Sequence, residues 1–120
     1  MNENASAHKQ PEKAQKDGFL EEVLDIVVDL VEYAQRGEKP PLSKAYRVLI
    51  NGQPYEFDKA VVTGREVLLK AKLTPPDNYT LRIKVAGQAP RKIENLDAPI
   101  DLRTPGIEKF KALPQDQTEG

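Results

Sequence analysis

The spacing of hydrophobic residues divides the chain into four segments. Residues 1–17 are polar and nearly free of large apolar side chains, so they bury too little surface to offset the entropy of becoming ordered. Residues 18–45 contain a strongly apolar run and then a proline-rich linker, whereas residues 46–112 alternate with the period of β-strands. Residues 113–120 are polar again. The pattern predicts a disordered leader, an amphipathic helix with its linker, one folded domain and a flexible tail.

The apolar run predicts a single long helix over residues 19–34. On a helix its polar residues would fall within about 100° of one another, which leaves a very wide apolar face. Such a face suits packing on the chain's own domain, or association with a second copy of the chain, and both interpretations stay open. The residues expected along a self-association seam are Leu20, Val23, Leu24, Val27, Leu30, Val31 and Ala34.

A second interpretation divides the same run into a strand and a short helix. Residues 26–28 are β-branched and therefore favour a strand. Asp29 would then cap the helix, with Glu32 completing a capping box. In either case the helix ends at Gly37, and Pro40-Pro41 forms a stiff connection. We prefer the single helix; the divided interpretation would weaken the case for the seam.

The next segment predicts a β-hairpin. Tyr46, Val48 and Ile50 fall on one face of a strand, and the alternation resumes after Asn51-Gly52. Asn-Gly is the preferred sequence of a type I′ turn, which joins two antiparallel strands. The hairpin is therefore expected to open the folded domain.

A helix is predicted after the hairpin. Thr63 and Glu66 have the spacing of a capping box that opens a helix over residues 64–72. Its inner residues are expected to be Val67, Leu68 and Ala71, because these apolar residues recur at helical spacing.

Three further strands complete the pattern. Tyr79–Val85 alternates clearly, a short strand is expected near residues 91–94, and a last one near residues 107–112. Hairpin, helix, strand, short strand, strand is the order of the β-grasp fold. We therefore expect an α+β protein with a single β-grasp domain, an N-terminal helical extension and a flexible C-terminal tail.

Composition excludes several classes of protein. The chain has no cysteine, so it forms no disulfide and offers no thiolate, and its one histidine, His8, lies in the leader. A catalytic or metal-binding role is therefore not expected. The net charge of −1 argues against a nucleic-acid binder. No stretch is apolar enough to span a membrane and no signal peptide is present, so we expect a cytoplasmic protein that is not an enzyme.

Two features are candidates for function. Arg82 and Lys84 alternate with the apolar residues of the third strand, which places them on the sheet face opposite the helix. They form either a solvated face or a docking surface for acidic partners. The second feature is Gly120, which has no side chain to obstruct an enzyme channel. Its carboxylate could be activated with ATP and passed to a nucleophile, and Pro114 would favour an extended entry.

Several segments together resemble the bacterial multiubiquitin family of ubiquitin-like domains. The resemblance covers about residues 25–120, and no single motif carries it. The segments are Thr63–Glu66 at the helix start, Pro75–Tyr79 before the third strand, Asp101–Phe110 before and within the last strand, Thr118–Gly120 at the end, and the lead-in Asp29–Ala34 with Gly37 and Pro40-Pro41.

The resemblance implies a protein modifier that is joined to targets through Gly120. Such genes typically lie beside those for an activating enzyme, a conjugating enzyme and a metal-dependent deconjugating peptidase, and some of these operons are linked to phage defence. ATP would be used by the activating enzyme, so the modifier itself needs no cofactor. The acceptor could be an amine or a hydroxyl, giving an isopeptide or ester bond.

The tail differs from that of eukaryotic ubiquitin. Glu119 stands in the place of a glycine, and Asp116 makes the tail acidic. The resemblance therefore implies a cognate enzyme whose channel has basic groups and reads Pro114, Asp116, Thr118 and Glu119.

Two other functions stay open. A sulfur carrier would convert the same activated glycine to a thiocarboxylate, although such carriers usually end in a glycine pair, which this chain lacks. A non-conjugated module would use the domain only for docking and the helix for assembly. Removing Gly120 would abolish both the modifier function and the sulfur-carrier function and leave the docking module intact.

Overall fold

The structure is a computed structural model that describes residues 13–16 and 19–115, with side chains from residue 22 onward. Its strands and helices, in chain order, are β1 (Lys13–Lys16), β2 (Phe19–Glu22), β3 (Leu24–Asp29), α1 (Leu30–Arg36), β4 (Ser43–Ile50), β5 (Gln53–Phe57), β6 (Val61–Thr63), α2 (Gly64–Lys70), β7 (Tyr79–Val85), β8 (Arg91–Lys92), β9 (Pro99–Asp101) and β10 (Ile107–Pro114). A 3₁₀ turn, Pro76–Asn78, precedes β7. None of the described helices is long and apolar enough to cross a membrane.

A mixed sheet forms the main layer. Its strand order is β3-β4-β10-β7-β8, and β5 pairs with the other edge of β4. The pairs of β4 with β3 and with β10 are parallel, and the remaining pairs are antiparallel. Two small sheets, β1-β2 and β6-β9, lie outside this layer. The order β5-β4-β10-β7-β8 with α2 packed on one face is compatible with a β-grasp.

Strand β4 has two neighbours along one edge. β5 pairs with β4 at both Tyr46 and Ile50, so it occupies one edge throughout. β3 pairs at Tyr46 and β10 pairs at Ile50, so both must lie on the opposite edge. β3 and β10 are therefore arranged end to end beside β4. In this way β3, which comes before the predicted domain, extends the sheet.

The predicted hairpin is confirmed. Asn51 and Gly52 have positive φ values of 52° and 83°, as a type I′ turn requires at both central positions. The Asn51 side chain also continues the sheet, because its Oδ1 accepts from the Ala112 N–H at 2.8 Å and its Nδ2 donates to the Ala112 carbonyl at 3.2 Å. The turn thereby joins the hairpin to β10.

The predicted capping box of α2 is also confirmed. The Thr63 hydroxyl accepts from the Glu66 N–H at 3.1 Å, and the Glu66 carboxylate accepts from the Thr63 N–H at 2.9 Å. The helix ends at Lys70, two residues before the predicted end. Val67 and Leu68 are fully buried and hold α2 against the sheet.

The single long helix predicted over residues 19–34 is wrong, and the divided interpretation is right. Leu24–Asp29 is a strand because its backbone pairs with β4, and the Ser43 hydroxyl donates toward the carbonyl oxygens of Leu24 and Ile26 at 3.0 and 2.5 Å. The helix begins only at Leu30. Asp29 caps it by accepting from the Val31 N–H at 3.1 Å, rather than through the box predicted with Glu32.

The expected seam therefore does not form one helical face. Leu24 and Val27 lie in β3, whereas Leu30 and Ala34 are buried in the chain's own core. Val23 and Val31 are half-buried, and the Leu20 side chain lies outside the described residues. The seam was predicted from helical spacing, but residues 24–29 form a strand and helical spacing applies only from Leu30 onward.

The lead-in shares one core with the rest of the fold. Val28 and Leu30 are each 1% exposed and belong to the same cluster as Val48, Leu81 and Phe110. Hydrogen bonds to a buried side chain hold the linker that contains Pro40-Pro41. The buried Tyr46 hydroxyl accepts from the Ser43 N–H at 2.7 Å and donates to the Pro41 carbonyl at 2.9 Å, which satisfies a polar group that would be costly to bury alone.

The leader was predicted to be disordered over residues 1–17. Lys13–Lys16 pairs with Phe19–Glu22 as an antiparallel ribbon. The rest of the predicted leader lies outside the described residues.

Candidate functional site

Strand β10 carries the chain toward its C-terminus from the middle of the sheet. It pairs with β7 from Ile107 opposite Val85 to Pro114 opposite Tyr79. On its other side it pairs with β4 at Leu49 and Ile50. The backbone of β10 is therefore paired on both edges at Lys109 and Phe110, and on the β7 edge as far as Pro114.

The point at which the chain leaves the sheet is defined by two hydrogen bonds of Gln115. The Gln115 N–H donates to the Asn78 carbonyl at 2.8 Å, and its side-chain Nε2 donates to the Tyr79 carbonyl at 3.2 Å. Pro114 is half-buried and is the last residue of β10, two residues beyond the predicted strand end. Gln115 is therefore the last anchored residue of the described chain.

The other predicted tail residues lie outside the described residues. They are Asp116, Thr118, Glu119 and Gly120. Of the tail positions expected to contact an enzyme, the structure places Pro114 alone.

The structure places Arg82 and Lys84 in two rows of cations. Opposite residues of an antiparallel pair project to the same face. Lys92 of β8 and Lys111 of β10 stand opposite Arg82, and Lys109 of β10 stands opposite Lys84. The five cations Arg82, Lys84, Lys92, Lys109 and Lys111, called the basic patch below, cover the part of the sheet formed by β7, β8 and β10, on the side away from α2.

The prediction included only two members of the basic patch. Lys109 and Lys111 could have been found from their alternation with the buried Phe110 and Ala112. Their opposition to Lys84 and Arg82 depends on register. A shift of one residue between Ile107 and Lys109 sets that register, and the sequence alone does not reveal such a bulge.

The basic patch is largely without counter-charge. Among the described residues, no carboxylate lies within 4.0 Å of Arg82, Lys84, Lys109 or Lys111; the Lys92 ammonium lies 4.0 Å from Glu94. The Lys84 ammonium donates to the Val85 carbonyl at 3.1 Å.

Arg47, on the part of the sheet formed by β3, β4 and β5, has carboxylates close to it. The Arg47 guanidinium lies between the carboxylates of Asp29 and Glu56, at 3.8 and 3.1 Å. Charge is thus compensated on β3, β4 and β5 and left open on β7, β8 and β10.

The segment Thr63–Glu66 has a structural explanation. Gly64 packs against the core, and a Cβ atom there would lie 3.0 Å from Leu96 Cδ2 and 3.2 Å from Leu81 Cδ2. Arg65 binds Asp97 through two hydrogen bonds of 2.8 and 3.1 Å and Asp77 through one of 3.2 Å. The segment therefore joins α2 to the loops that flank β7 and β8.

Two carboxyl groups near α2 have altered pKa values. Hydrogen bonding to Arg65 holds the pKa of Asp97 below its ordinary value. Hydrogen bonding to Lys59, and then to the Thr63 N–H, lowers the pKa of Glu66. Both groups are ionised at neutral pH and serve in ion pairs, so neither has the raised pKa expected of a general acid.

A metal site needs several ligating side chains close together. Within the described part of the chain, no three His, Cys, Asp or Glu side chains come together as a metal site.

Comparison with known proteins identifies the family. The family model described as multiubiquitin matches residues 46–115. Searches of curated proteins and of solved structures gave no match. The matched region runs from β4 through the last anchored residue, Gln115, and covers more than half of the chain. The chain belongs to the multiubiquitin family.

Proposed function

We propose that this chain is a ubiquitin-like protein modifier, activated at the Gly120 carboxylate and joined to target proteins by cognate enzymes. The observation that carries the proposal is the multiubiquitin match over residues 46–115. That match ends at Gln115, where the hydrogen bonds to Asn78 and Tyr79 also end. A strand order compatible with a β-grasp supports the same conclusion.

The position of Gln115 suits delivery of a carboxylate to another protein. Residues 116–120 follow the last anchor, and five extended residues span at most roughly 17 Å. Gly120 could therefore enter a buried active site while the folded domain stays at its mouth. Gly120 would be the last residue as encoded, or after cleavage by a peptidase.

The proposed chemistry has two stages. A carboxylate oxygen of Gly120 attacks the α-phosphorus of magnesium-bound ATP, and the bond to the β,γ-pyrophosphate breaks, so pyrophosphate leaves and an acyl adenylate forms. A nucleophile then attacks the carbonyl carbon and displaces AMP, while its proton passes to a base on the enzyme. An amine acceptor gives an amide and a hydroxyl acceptor gives an ester.

In this scheme the chain supplies the carboxylate and the recognition surface. The activating and conjugating enzymes supply the catalytic groups, and a deconjugating metallopeptidase would reverse the bond. Asp116 and Glu119 would select an activating enzyme with basic groups in its channel, with Pro114 and Thr118 as further contacts. We place this pathway in the bacterial cytoplasm, with phage defence as its setting.

The first experiment is pyrophosphate exchange with the cognate activating enzyme and magnesium-ATP. The full chain is expected to support Gly120-dependent exchange and to form an adduct with the enzyme by intact mass. A chain without Gly120 should support neither. Gln117→Ala is the matched control, because it alters the same tail at a position with no proposed contact, and it should retain both activities.

The outcomes separate the alternatives. Equal exchange with and without Gly120, using an enzyme shown to be active, would contradict the proposal. A product in which one oxygen of the C-terminal carboxylate is replaced by sulfur, formed only with a sulfide donor, would assign the chain to sulfur transfer instead.

A further inference from the structure

The basic patch is held in place by backbone pairing. Arg82, Lys92 and Lys111 occupy one row across three neighbouring strands, and Lys84 and Lys109 occupy the next row. Neighbouring strands are about 4.8 Å apart, so each cation has another within a short distance. Like charges placed directly opposite each other destabilise a sheet. The arrangement therefore opposes folding unless an anion offsets it.

The chain supplies little to offset this repulsion. Arg82, Lys84, Lys109 and Lys111 have no carboxylate within 4.0 Å in the described ranges, and Lys92 has Glu94 at 4.0 Å. Glu108, at the register shift beside Lys109, makes no ion pair at that distance either. By contrast, the same sheet gives Arg47 two carboxylates. On the face of the sheet away from α2, the described cations that have no carboxylate within 4.0 Å therefore belong to the basic patch.

Apolar side chains flank the cations. Leu113 follows Lys111 on the same face of β10 and is 49% exposed. Leu49 is half-buried and stands opposite Lys109. A ligand that covered both rows would therefore also contact aliphatic surface, which favours a ligand with apolar groups of its own.

The chemistry of this face favours a protein over a nucleic acid. Proteins that bind single strands stack bases on aromatic side chains. On this side, β7 and β10 present Thr80, Arg82, Lys84, Lys109, Lys111 and Leu113, and β4 presents Leu49 beside them and Arg47 further along; none of these residues is aromatic. We propose that the basic patch, together with Leu49 and Leu113, binds an acidic segment of a partner protein that also carries aliphatic side chains.

This docking does not depend on transfer of Gly120. Leu113 lies two residues before Gln115, so a partner bound at the basic patch would sit beside the point where the chain leaves the sheet. If the chain acts as a modifier, the same surface would orient the tail toward that partner. If it does not, the surface remains a binding site.

The test uses a chain without Gly120, which separates binding from conjugation. The probe is a labelled synthetic peptide that alternates glutamate with leucine, followed by fluorescence anisotropy at low and high salt. Its affinity should fall with salt, because exposed ion pairs are screened. The variant Lys109→Glu/Lys111→Glu should bind about tenfold more weakly or worse.

Matched variants define the controls. Lys39→Glu/Lys72→Glu changes the net charge equally at exposed positions off the basic patch and should bind as the parent does. Leu113→Ser should weaken binding at high salt as well, where the apolar contribution remains. Circular dichroism of each variant establishes that a loss of binding reflects the surface rather than the fold.

Four results of the binding measurements would overturn the proposal. They are no binding of the peptide by the parent chain, equal weakening by the control pair, tighter binding of an oligothymidine than of the peptide, and equal binding of a peptide with glutamine in place of glutamate. Self-association of the parent chain that Lys109→Glu/Lys111→Glu abolishes would assign the surface to a second copy instead, and would also overturn it.

Discussion

The helices α1 and α2 are both seven residues long, but the sequence predicts the start of α2 much more directly than the start of α1. α2 begins with a reciprocal capping box, which the spacing of Thr63 and Glu66 predicts. α1 begins with a single side-chain cap, in which Asp29 accepts from the Val31 N–H. It directly follows β3, a strand that the spacing of apolar residues does not distinguish from a helix. Helices this short are marginal on their own. The comparison shows that packing against the sheet stabilises both helices, whereas local sequence determines the first residue of α2 alone.

The largest expected effect tests whether α1 is as much a part of the core as α2. Leu30→Ala and Leu68→Ala should each lower the free energy of unfolding by about 2–5 kcal/mol, because both side chains are fully buried. Urea denaturation measures both. Leu69→Ala, at a position 48% exposed, should change stability by no more than about 0.5 kcal/mol. A similarly small effect of Leu30→Ala would show that the lead-in is peripheral.

The next test contrasts a glycine inside the fold with one at the surface. Gly64→Ala should destabilise the protein by about 1–3 kcal/mol, because the new methyl group meets Leu96 and Leu81. Gly37→Ala meets nothing, but it places alanine at a φ of 68°, which costs about 1–2 kcal/mol. Shortening Leu96 to alanine should relieve the first substitution and leave the second unchanged. If stability instead rises with Gly64→Ala, helix propensity outweighs the close contact.

The helix caps give a smaller difference. Asp29→Ala removes one acceptor and should cost about 0.5–2 kcal/mol; Thr63→Ala/Glu66→Ala removes both acceptors of the capping box and should cost more. Asp29→Asn keeps an acceptor for the Val31 N–H and should restore most of the loss at Asp29. An equal or larger loss at Asp29 than in the Thr63→Ala/Glu66→Ala variant would mean that its contact with Arg47 matters more than the cap.

The smallest effect concerns acid. The folded-state pKa values of Glu66 and Asp97 are lowered, so each contributes stability above its unfolded pKa and loses it as pH falls through the folded pKa. Stability should therefore decline below about pH 4.5. Glu66→Gln and Asp97→Asn should flatten that decline in thermal unfolding measured from neutral to acidic pH. Parallel curves for parent and variants would contradict the assignment.

What the sequence could predict follows from the range of each interaction. The hairpin at Asn51-Gly52 and the box at Thr63 depend on neighbours a few residues apart, and both were found. The boundary between β3 and α1 after Asp29 depends on pairing between Val28 and Tyr46. An apolar run alone does not reveal this pairing, because such a run fits both the helical and the strand period. The β6-β9 pair was missed for the same reason, since Val62 pairs with Ile100.

The candidate site shows the same limit. Arg82 and Lys84 were found because they alternate within one strand. Lys109 and Lys111 alternate in the same way within β10, but placing them opposite Lys84 and Arg82 requires the register of β10 against β7, which a bulge displaces. Strand alternation is local information, whereas the assembly of a surface from several strands is not.

The central place of β10 has a consequence for how the protein acquires its structure. β10 is the last strand in sequence, yet it alone joins the β3-β4-β5 part of the sheet to β7-β8. Its contact with β4 pairs Leu49 with Lys109, so a loop of about sixty residues must close before either half gains that interface. During synthesis the core therefore stays incomplete until β10 has emerged. Such long-range pairing slows folding, and it makes the ordered exit at Gln115 available only on a finished domain.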